Sequence, residues 1–248
     1  MRAARLPNDR DETLDPFYRG RFRFLQGRKG FRFSVDAPLL ADFVRTGPED
    51  EVLELGTGCG VVAILLSLKP FARLTALEVQ EGLADLARRN VALNGLADRI
   101  KVVRADLRTW DPGRRFNVVF SNPPYVRGRR GRLAASEEKS VAKHEIMGDI
   151  FDIMRATRGF LAERGRACFI YPEKRRKDFE EAVNDQDLAV TRRRPVLPRA
   201  GAEPALFLAE CGGAPGGGPV LLPPLVLHRP DGRYTAEAED IFTGRASE

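Results

Sequence analysis

The sequence predicts an open α/β fold with a mostly parallel sheet, and three observations carry that prediction. From Glu51 onward, short apolar runs alternate with stretches of helical periodicity, the pattern left by parallel strands and their crossover helices. A glycine-rich turn, Gly56 to Gly60, stands directly between the first apolar run and the first helix. The run "FNVVFS" (116 to 121) meets Asn122-Pro123-Pro124-Tyr125, and adjacent prolines cannot donate to a sheet ladder, so a buried strand must stop there.

Each element follows from its local pattern. "EVLEL" (51 to 55) is a first strand, Val61 to Leu68 its helix, and "LTALEV" (74 to 79) the second strand. A helix from Gln80 to Leu93 places Leu83, Leu86, Ala87 and Val91 on one face and stops at Asn94-Gly95. "KVVRAD" (101 to 106) and 116 to 121 are the third and fourth strands. Arg127 to Lys143 is polar and aperiodic, and loops of that length are usually functional or disordered. A helix follows with Ile146, Ile150, Ile153 and Met154 on one side, then a strand at 166 to 172 and a helix from Arg175 to Val183. Two late strands, Leu188 to Val196 and Ala205 to Cys211, read as antiparallel. Ahead of the sheet, "GRFRFLQGRKGFRFSV" suggests a small hairpin before a short helix through Leu39, Leu40 and Phe43. Three regions result: 1–50, a hairpin and helix covering the ligand site; 51–211, the main domain; and 212–248, a Gly/Pro linker with a C-terminal hairpin or extended arm.

Composition narrows the chemistry. At 248 residues, 43% hydrophobic and 31% charged, the chain is long enough for a sizeable core, and no apolar run approaches the roughly 20 residues that span a bilayer. The N-terminus carries no apolar signal region, so a cytoplasmic protein is expected. Cys59, Cys168 and Cys211 are odd in number and far apart, which suits structural thiols. Two histidines leave little material for a metal site or a Ser/His/Asp triad. A net charge of +6, concentrated at 127–132, 174–177 and 192–194, fits a nucleic-acid partner, and a solvated surface is the plainer alternative for each cluster.

In an open α/β sheet the ligand binds beyond the strands' C-terminal ends, and glycines at 56, 58 and 60 let backbone approach it there. The spacing is G-x-G-x-G, without the G-x-G-x-x-G of pyrophosphate binding or the Gly-Lys-Ser/Thr of a phosphate loop. Glu78, about 20 residues on, is placed to accept from both hydroxyls of a ribose, and Asp106 from an adenine amino group. A glycine turn, a ribose acid and an adenine acid at successive strand ends fit S-adenosylmethionine.

Beside that site, the Asn122 side-chain oxygen and the Pro123 carbonyl can take the two hydrogens of a planar amino group, and Tyr125 offers a face to a flat base. Positioning of this kind supplies on the order of 7 to 11 kcal/mol, and stacking roughly 1 to 3 kcal/mol. A simple strand-ending turn is the plain alternative for these residues.

These motifs resemble the S-adenosylmethionine-dependent amino-methyltransferases marked by Asn/Asp-Pro-Pro-Tyr. "LQGRKGFRFSVDAPLLADFV", "LELGTGCG", "SNPPYV", "KHEI" and "LPPLVLHRPDGRYTAEAEDIF" together resemble the bacterial tRNA1(Val) adenine-37 N6-methyltransferases, from about Arg21 to Phe242. The resemblance implies a Rossmann-like class I methyltransferase fold: a mostly parallel seven-stranded sheet, helices on both faces and an antiparallel late strand. It further implies that Phe33, Asp36, Glu54, Leu107 and Asn122 join Gly56, Gly58, Gly60, Glu78 and Asp106 around the cofactor. Pro124, Tyr125, Arg127, Arg129, Arg130, Arg132 and His144 would face RNA, a tRNA by resemblance. Two other readings stay open: a glutamine methyltransferase of release factors, a family whose members resemble chains with a larger helical domain ahead of the glycine loop, and a non-catalytic RNA-binding protein of the same fold.

Overall fold

The computed structural model describes residues 12–28, 35–125, 148–213 and 218–245. A central sheet runs in the order β10-β8-β9-β7-β6-β3-β4-β5, and β11 pairs with β8 beside β10. Its strands are β3 (Glu51–Leu55), β4 (Arg73–Glu78), β5 (Ile100–Arg104), β6 (Phe116–Ser121), β7 (Leu161–Pro172), β8 (Ala189–Arg199), β9 (Leu206–Gly212), β10 (Val220–Leu221) and β11 (Leu225–His228). The five strands β3 to β7 are mutually parallel, and β9 runs antiparallel between β7 and β8.

Alternation along the strands separates two cores. Val52, Val118 and Phe120 pack on α1 (Asp36–Phe43), α2 (Val61–Leu66) and α3 (Glu81–Leu93), while Leu53, Leu55 and Val119 pack on α4 (Ile150–Phe160) and α5 (Arg176–Asn184). Strand interiors buried on both faces read as continuous Val/Leu/Phe runs, which is why β3 and β6 were visible in the sequence. α4 starts at Asp149, whose carboxylate accepts from the Phe151 and Asp152 amides while Asp152 answers to the Asp149 amide, a capping box.

The chain leaves β3 for β4 and β5 on one side and returns with β6 on the other. β3 and β6 therefore flank the topological switch point, where a crevice opens beyond their C-terminal ends. Both motifs singled out in the sequence, Gly56 to Gly60 and Asn122 to Tyr125, lie at those two ends.

The ends of the chain differ from the sequence reading. The hairpin forms earlier than expected: β1 (Glu12–Phe17) pairs with β2 (Phe22–Gly27), so "RFRFLQG" supplies only its second strand. It docks on α3 through Asn90 and Asn94. The Leu25 amide donates to Asn90 Oδ1 at 2.7 Å and the Arg23 amide to Asn94 Oδ1 at 3.0 Å. Their Nδ2 groups return bonds to the Leu25 and Arg23 carbonyls at 3.0 and 2.8 Å. Two asparagines one helical turn apart thus serve the free edge of β2 as a strand would.

The C-terminal segment closes a short hairpin at its turn, where His228 and Tyr234 form an antiparallel bridge and the Thr235 amide donates to the Leu227 carbonyl at 2.9 Å. β10 and β11 join β8 in parallel, widening the expected seven-stranded sheet to nine, and a helix that the sequence reading missed, α6 (Ala236–Thr243), packs on α1. The "DGRY" turn brings Tyr234 back against His228, their rings stacked at 4.9 Å.

Candidate active site

The glycine turn is fastened to β4 before it reaches α2. The Gly56 and Thr57 amides both donate to the Leu77 carbonyl at 2.9 Å, and Gly56, Gly58 and Gly60 all take positive φ. At Gly60 a Cβ would sit 3.3 Å from the Ala87 side chain, so glycine there lets the turn press onto α3. Glu78 holds the next tier: Oε2 accepts from the Gly58 amide and Oε1 from the Gln80 amide, each at 2.9 Å. A carboxylate has about four lone-pair sites, which lets Glu78 answer to the turn's amides while it faces the cleft. Burial pushes the Glu78 carboxyl above its ordinary range, and the amide donors pull it back.

The cleft beside this turn is lined by Gly56, Leu77, Glu78, Val79, Ala105, Asp106 and Leu107. Leu77, Val79, Ala105 and Leu107 give a flat base apolar walls, Glu78 offers acceptors to a ribose, and the Gly56 surface is open where a side chain would otherwise stand. That donor set fits S-adenosylmethionine: acids for hydroxyl and amino groups, glycine backbone for the amino-acid end and, among the described residues that line the cleft, no cluster of cations for a second phosphate.

Two expected cofactor residues stand differently from the sequence reading. Glu54 is buried behind the turn, at 1% exposure, where it accepts from the Thr57 hydroxyl at 2.5 Å. It supports the turn from beneath and does not line the cleft. Asp106 lines the cleft but is engaged by Arg108, whose Nε lies 2.9 Å from Oδ1 and whose Nη2 lies 2.5 Å from Oδ2. Those bonds hold the Asp106 carboxyl below its usual range, so an adenine amino group must share it with a guanidinium.

Across the switch point, β6 ends at Ser121, whose hydroxyl donates to the Leu55 carbonyl at 2.7 Å and ties the two strand ends together. Asn122 and Pro124 are half-buried and Pro123 is buried, while Tyr125 keeps 37% of its surface exposed and packs edge-on to Tyr171 at 5.8 Å. The Tyr125 hydroxyl lies 2.7 Å from Asp36 Oδ2 and 3.0 Å from Asn122 Oδ1. Asp36 opens α1, so the helix that follows the N-terminal hairpin reaches into this corner.

Other determinants were missed by sequence reasoning. Asn90, fully buried, donates to the Cys59 carbonyl at 2.9 Å as well as to Leu25, joining the glycine turn to the hairpin. A polar residue on an otherwise apolar helix face was the available signal. Phe33, Arg127, Arg129, Arg130, Arg132, His144 and Ile146 lie outside the described residues, as does all of the expected loop from Arg127 to Lys143.

The other two basic clusters are largely engaged internally. Arg192 binds Glu210 at 2.8 Å and stacks over Phe43 at 3.9 Å, Arg193 pairs with Glu180, and Arg194 with Glu237. Arg175 pairs with Asp178, and Arg176 with Glu173 and Glu180. Cys59, Cys168 and Cys211 are buried, and burial raises the Cys168 and Cys211 thiols, leaving them unreactive.

A parallel sheet with its glycine turn, ribose acid and Asn-Pro-Pro-Tyr corner at one switch point defines a class I S-adenosylmethionine-dependent methyltransferase. A solved structure described as a predicted O-methyltransferase from Agrobacterium tumefaciens shares the fold, with a TM-score of 0.69 and 21% identity over 86% of this chain and 98% of that one. Residues 33–145 match the model of the methyltransferase small domain. Curated relatives in a Flavobacteriaceae bacterium (strain 3519-10) and in Parabacteroides distasonis are both named tRNA1(Val) (adenine(37)-N6)-methyltransferase. The first is 28% identical over 79% of this chain and 84% of its own length, the second 25% over 90% and 95%.

Proposed function

We propose that this methyltransferase acts on the N6 amino group of an adenine in tRNA, adenosine 37 of a valine tRNA in particular, within the cytoplasm. The observation that carries the reading is the placement of Asn122 and Pro123 at the end of β6, bound through Ser121 to the strand that leads into the glycine turn. The names of the two relatives support the choice of base and RNA.

When bound, S-adenosylmethionine supplies an electrophilic methyl group on a sulfonium. The protein's part is to aim the nucleophile. An aromatic amino nitrogen is weakly nucleophilic because its lone pair is conjugated. Asn122 Oδ1 and the Pro123 carbonyl, accepting its two hydrogens, draw that lone pair out of conjugation with the ring and hold it in line. Proline fixes the carbonyl's direction because its φ is set by the ring. Tyr125 stacks on the base, and the alkylated nitrogen releases its proton to water without a dedicated general base. Asn122, Pro123 and Tyr125 are therefore the catalytic residues of this reading, with Pro124 completing the rigid corner. An anticodon-loop adenine is already partly unstacked, so entry into the pocket costs a few kcal/mol at most.

Incubation with labelled S-adenosylmethionine and bulk tRNA, followed by nucleoside mass spectrometry, tests this. N6-methyladenosine is expected, mapping to position 37. Label in a release factor and none in tRNA would overturn the reading in favour of glutamine methylation.

A further inference from the structure

The contact among Asp36, Tyr125 and Asn122 contains more acceptors than protons. A phenol has one proton to give, and two oxygens lie within reach of it, Asp36 Oδ2 at 2.7 Å and Asn122 Oδ1 at 3.0 Å. The carboxylate is the stronger acceptor and the nearer one, so the proton goes to Asp36. Burial of the hydroxyl, and next the charge of Asp36, raise the Tyr125 pKa, so the phenol keeps that proton at all working pH values.

The Tyr125 oxygen then presents only lone pairs to Asn122. An oxygen facing those lone pairs gains nothing, whereas the amide nitrogen at the same 3.0 Å separation donates to them. The two ends of a side-chain amide are nearly equal in size, so the surrounding donors and acceptors decide which end points where. With the phenol proton committed to Asp36, the amide settles with Nδ2 on Tyr125 and Oδ1 released for an incoming amino group.

We propose that Asp36 is a positioning residue that sets the amide orientation of Asn122 through the Tyr125 hydroxyl, so that Asn122 offers its oxygen to the substrate. The inference rests on the reading of the site as an amino-methyltransferase. It gives the first turn of α1 a task in orienting the nucleophile, separate from covering the cofactor. Without Asp36 the phenol proton turns to Asn122 Oδ1 and occupies the acceptor that the substrate needs.

A double-mutant cycle tests it, with Asp36→Ala in the natural chain and in the Tyr125→Phe background. In the natural chain kcat for tRNA methylation falls about tenfold or more, the effect of one lost acceptor. In the Tyr125→Phe background no phenol proton remains to be redirected, and Asp36→Ala adds no further loss. Equal losses in both backgrounds overturn the inference. A second readout needs no tRNA: the side-chain 15N–1H resonances of Asn122, assigned by their loss in Asn122→Ala. They shift on Asp36→Ala in the natural chain and hold still in the Tyr125→Phe background, and an equal shift in both overturns the inference. An intact amide coupling in a protein that methylates no RNA overturns the proposed function alone.

Discussion

Ser121 Oγ donates to the Leu55 carbonyl at 2.7 Å, and both groups are buried at the point where β3 and β6 end side by side. One hydroxyl thus sets the distance between the turn that receives the cofactor and the corner that receives the amino group. Ser121→Ala is expected to lower stability by about 1 kcal/mol, the net worth of a buried hydrogen bond. Its effect on kcat should be larger, between about ten- and a hundredfold, because a small misplacement of reacting groups is costly. Steady-state kinetics beside a denaturant titration separates the two; equal losses would show that Ser121 serves the fold alone.

Glu78 receives an N–H on each of its two oxygens, from Gly58 and Gln80. Glu78→Gln turns one acceptor into a donor that faces an N–H, which leaves a buried amide unpaired. The mismatch amounts to about 1–3 kcal/mol, so affinity for S-adenosylmethionine should fall roughly 10- to 100-fold by calorimetry. Retention of full affinity would exclude Glu78 from the cofactor site.

The elements that position this site were legible because residues with local backbone constraints bound them. Glycine and proline mark the ends of β3 and β6, and these constraints act within a few residues. Partners set by side-chain reach or by strand pairing left no such mark. Arg108 engaging Asp106 depends on side-chain reach, and Ser121 binding Leu55 depends on a strand pairing 66 positions apart. The C-terminal strands were obscured because their partner, β8, lies far back in the chain and Pro223-Pro224 reads as a break. α6 presents only Ala238 and Ile241 as buried residues, too few for a helical period to stand out.

Arg192 was a candidate for RNA contact by composition, yet its side chain is only 13% exposed and faces Glu210 and Phe43. Burial pushes the Glu210 carboxyl up, and the guanidiniums of Arg192 and Arg45 outweigh that and hold it below its ordinary 4.5. The pair therefore stabilises the fold above pH 4.5, and that contribution is lost as pH falls through the depressed native value. Arg192→Ala should destabilise by about 3 kcal/mol, the low end for breaking a buried pair because Arg45 still binds Glu210 at 3.0 Å. Filter binding should find tRNA affinity and its salt dependence unchanged below the melting range; a reduced salt slope would make Arg192 a phosphate contact.

Gly244 ends α6 with φ of +68°, and a Cβ there would overlap the Tyr18 ring in the turn of the N-terminal hairpin. This contact joins the two ends of the described chain. Gly244→Ala combines left-handed strain with overpacking, an expected loss of about 2–4 kcal/mol and a drop of several degrees in Tm. A scanning-calorimetry trace unchanged by the substitution would mean that the two ends do not fold as one unit.

Two carboxyls lie at the glycine turn, and their settings differ. Glu78 lines the cleft with donors from Gly58, Val79 and Gln80, while Glu54 sits behind the turn with only the Thr57 hydroxyl and the Ala63 amide to favour its charge. Burial first, and then the neighbouring Glu78 charge, raise the Glu54 pKa to about 8. In the unfolded chain the same group titrates near 4.5. Between those values the unfolded state releases a proton that the native state retains, so stability falls as pH rises from about 4.5 and levels off above about 8. Each unit of separation is worth about 1.4 kcal/mol, which makes this a contribution of a few kcal/mol. Glu54→Gln keeps an acceptor for Thr57 and removes the titration. The variant should match the natural protein near pH 5 and exceed it near pH 8 in urea midpoint, with the m-value unchanged. Parallel pH profiles for the two proteins would show that Glu54 stays ionised behind the turn, and Glu54 rather than Glu78 would then be the carboxylate that governs its charge.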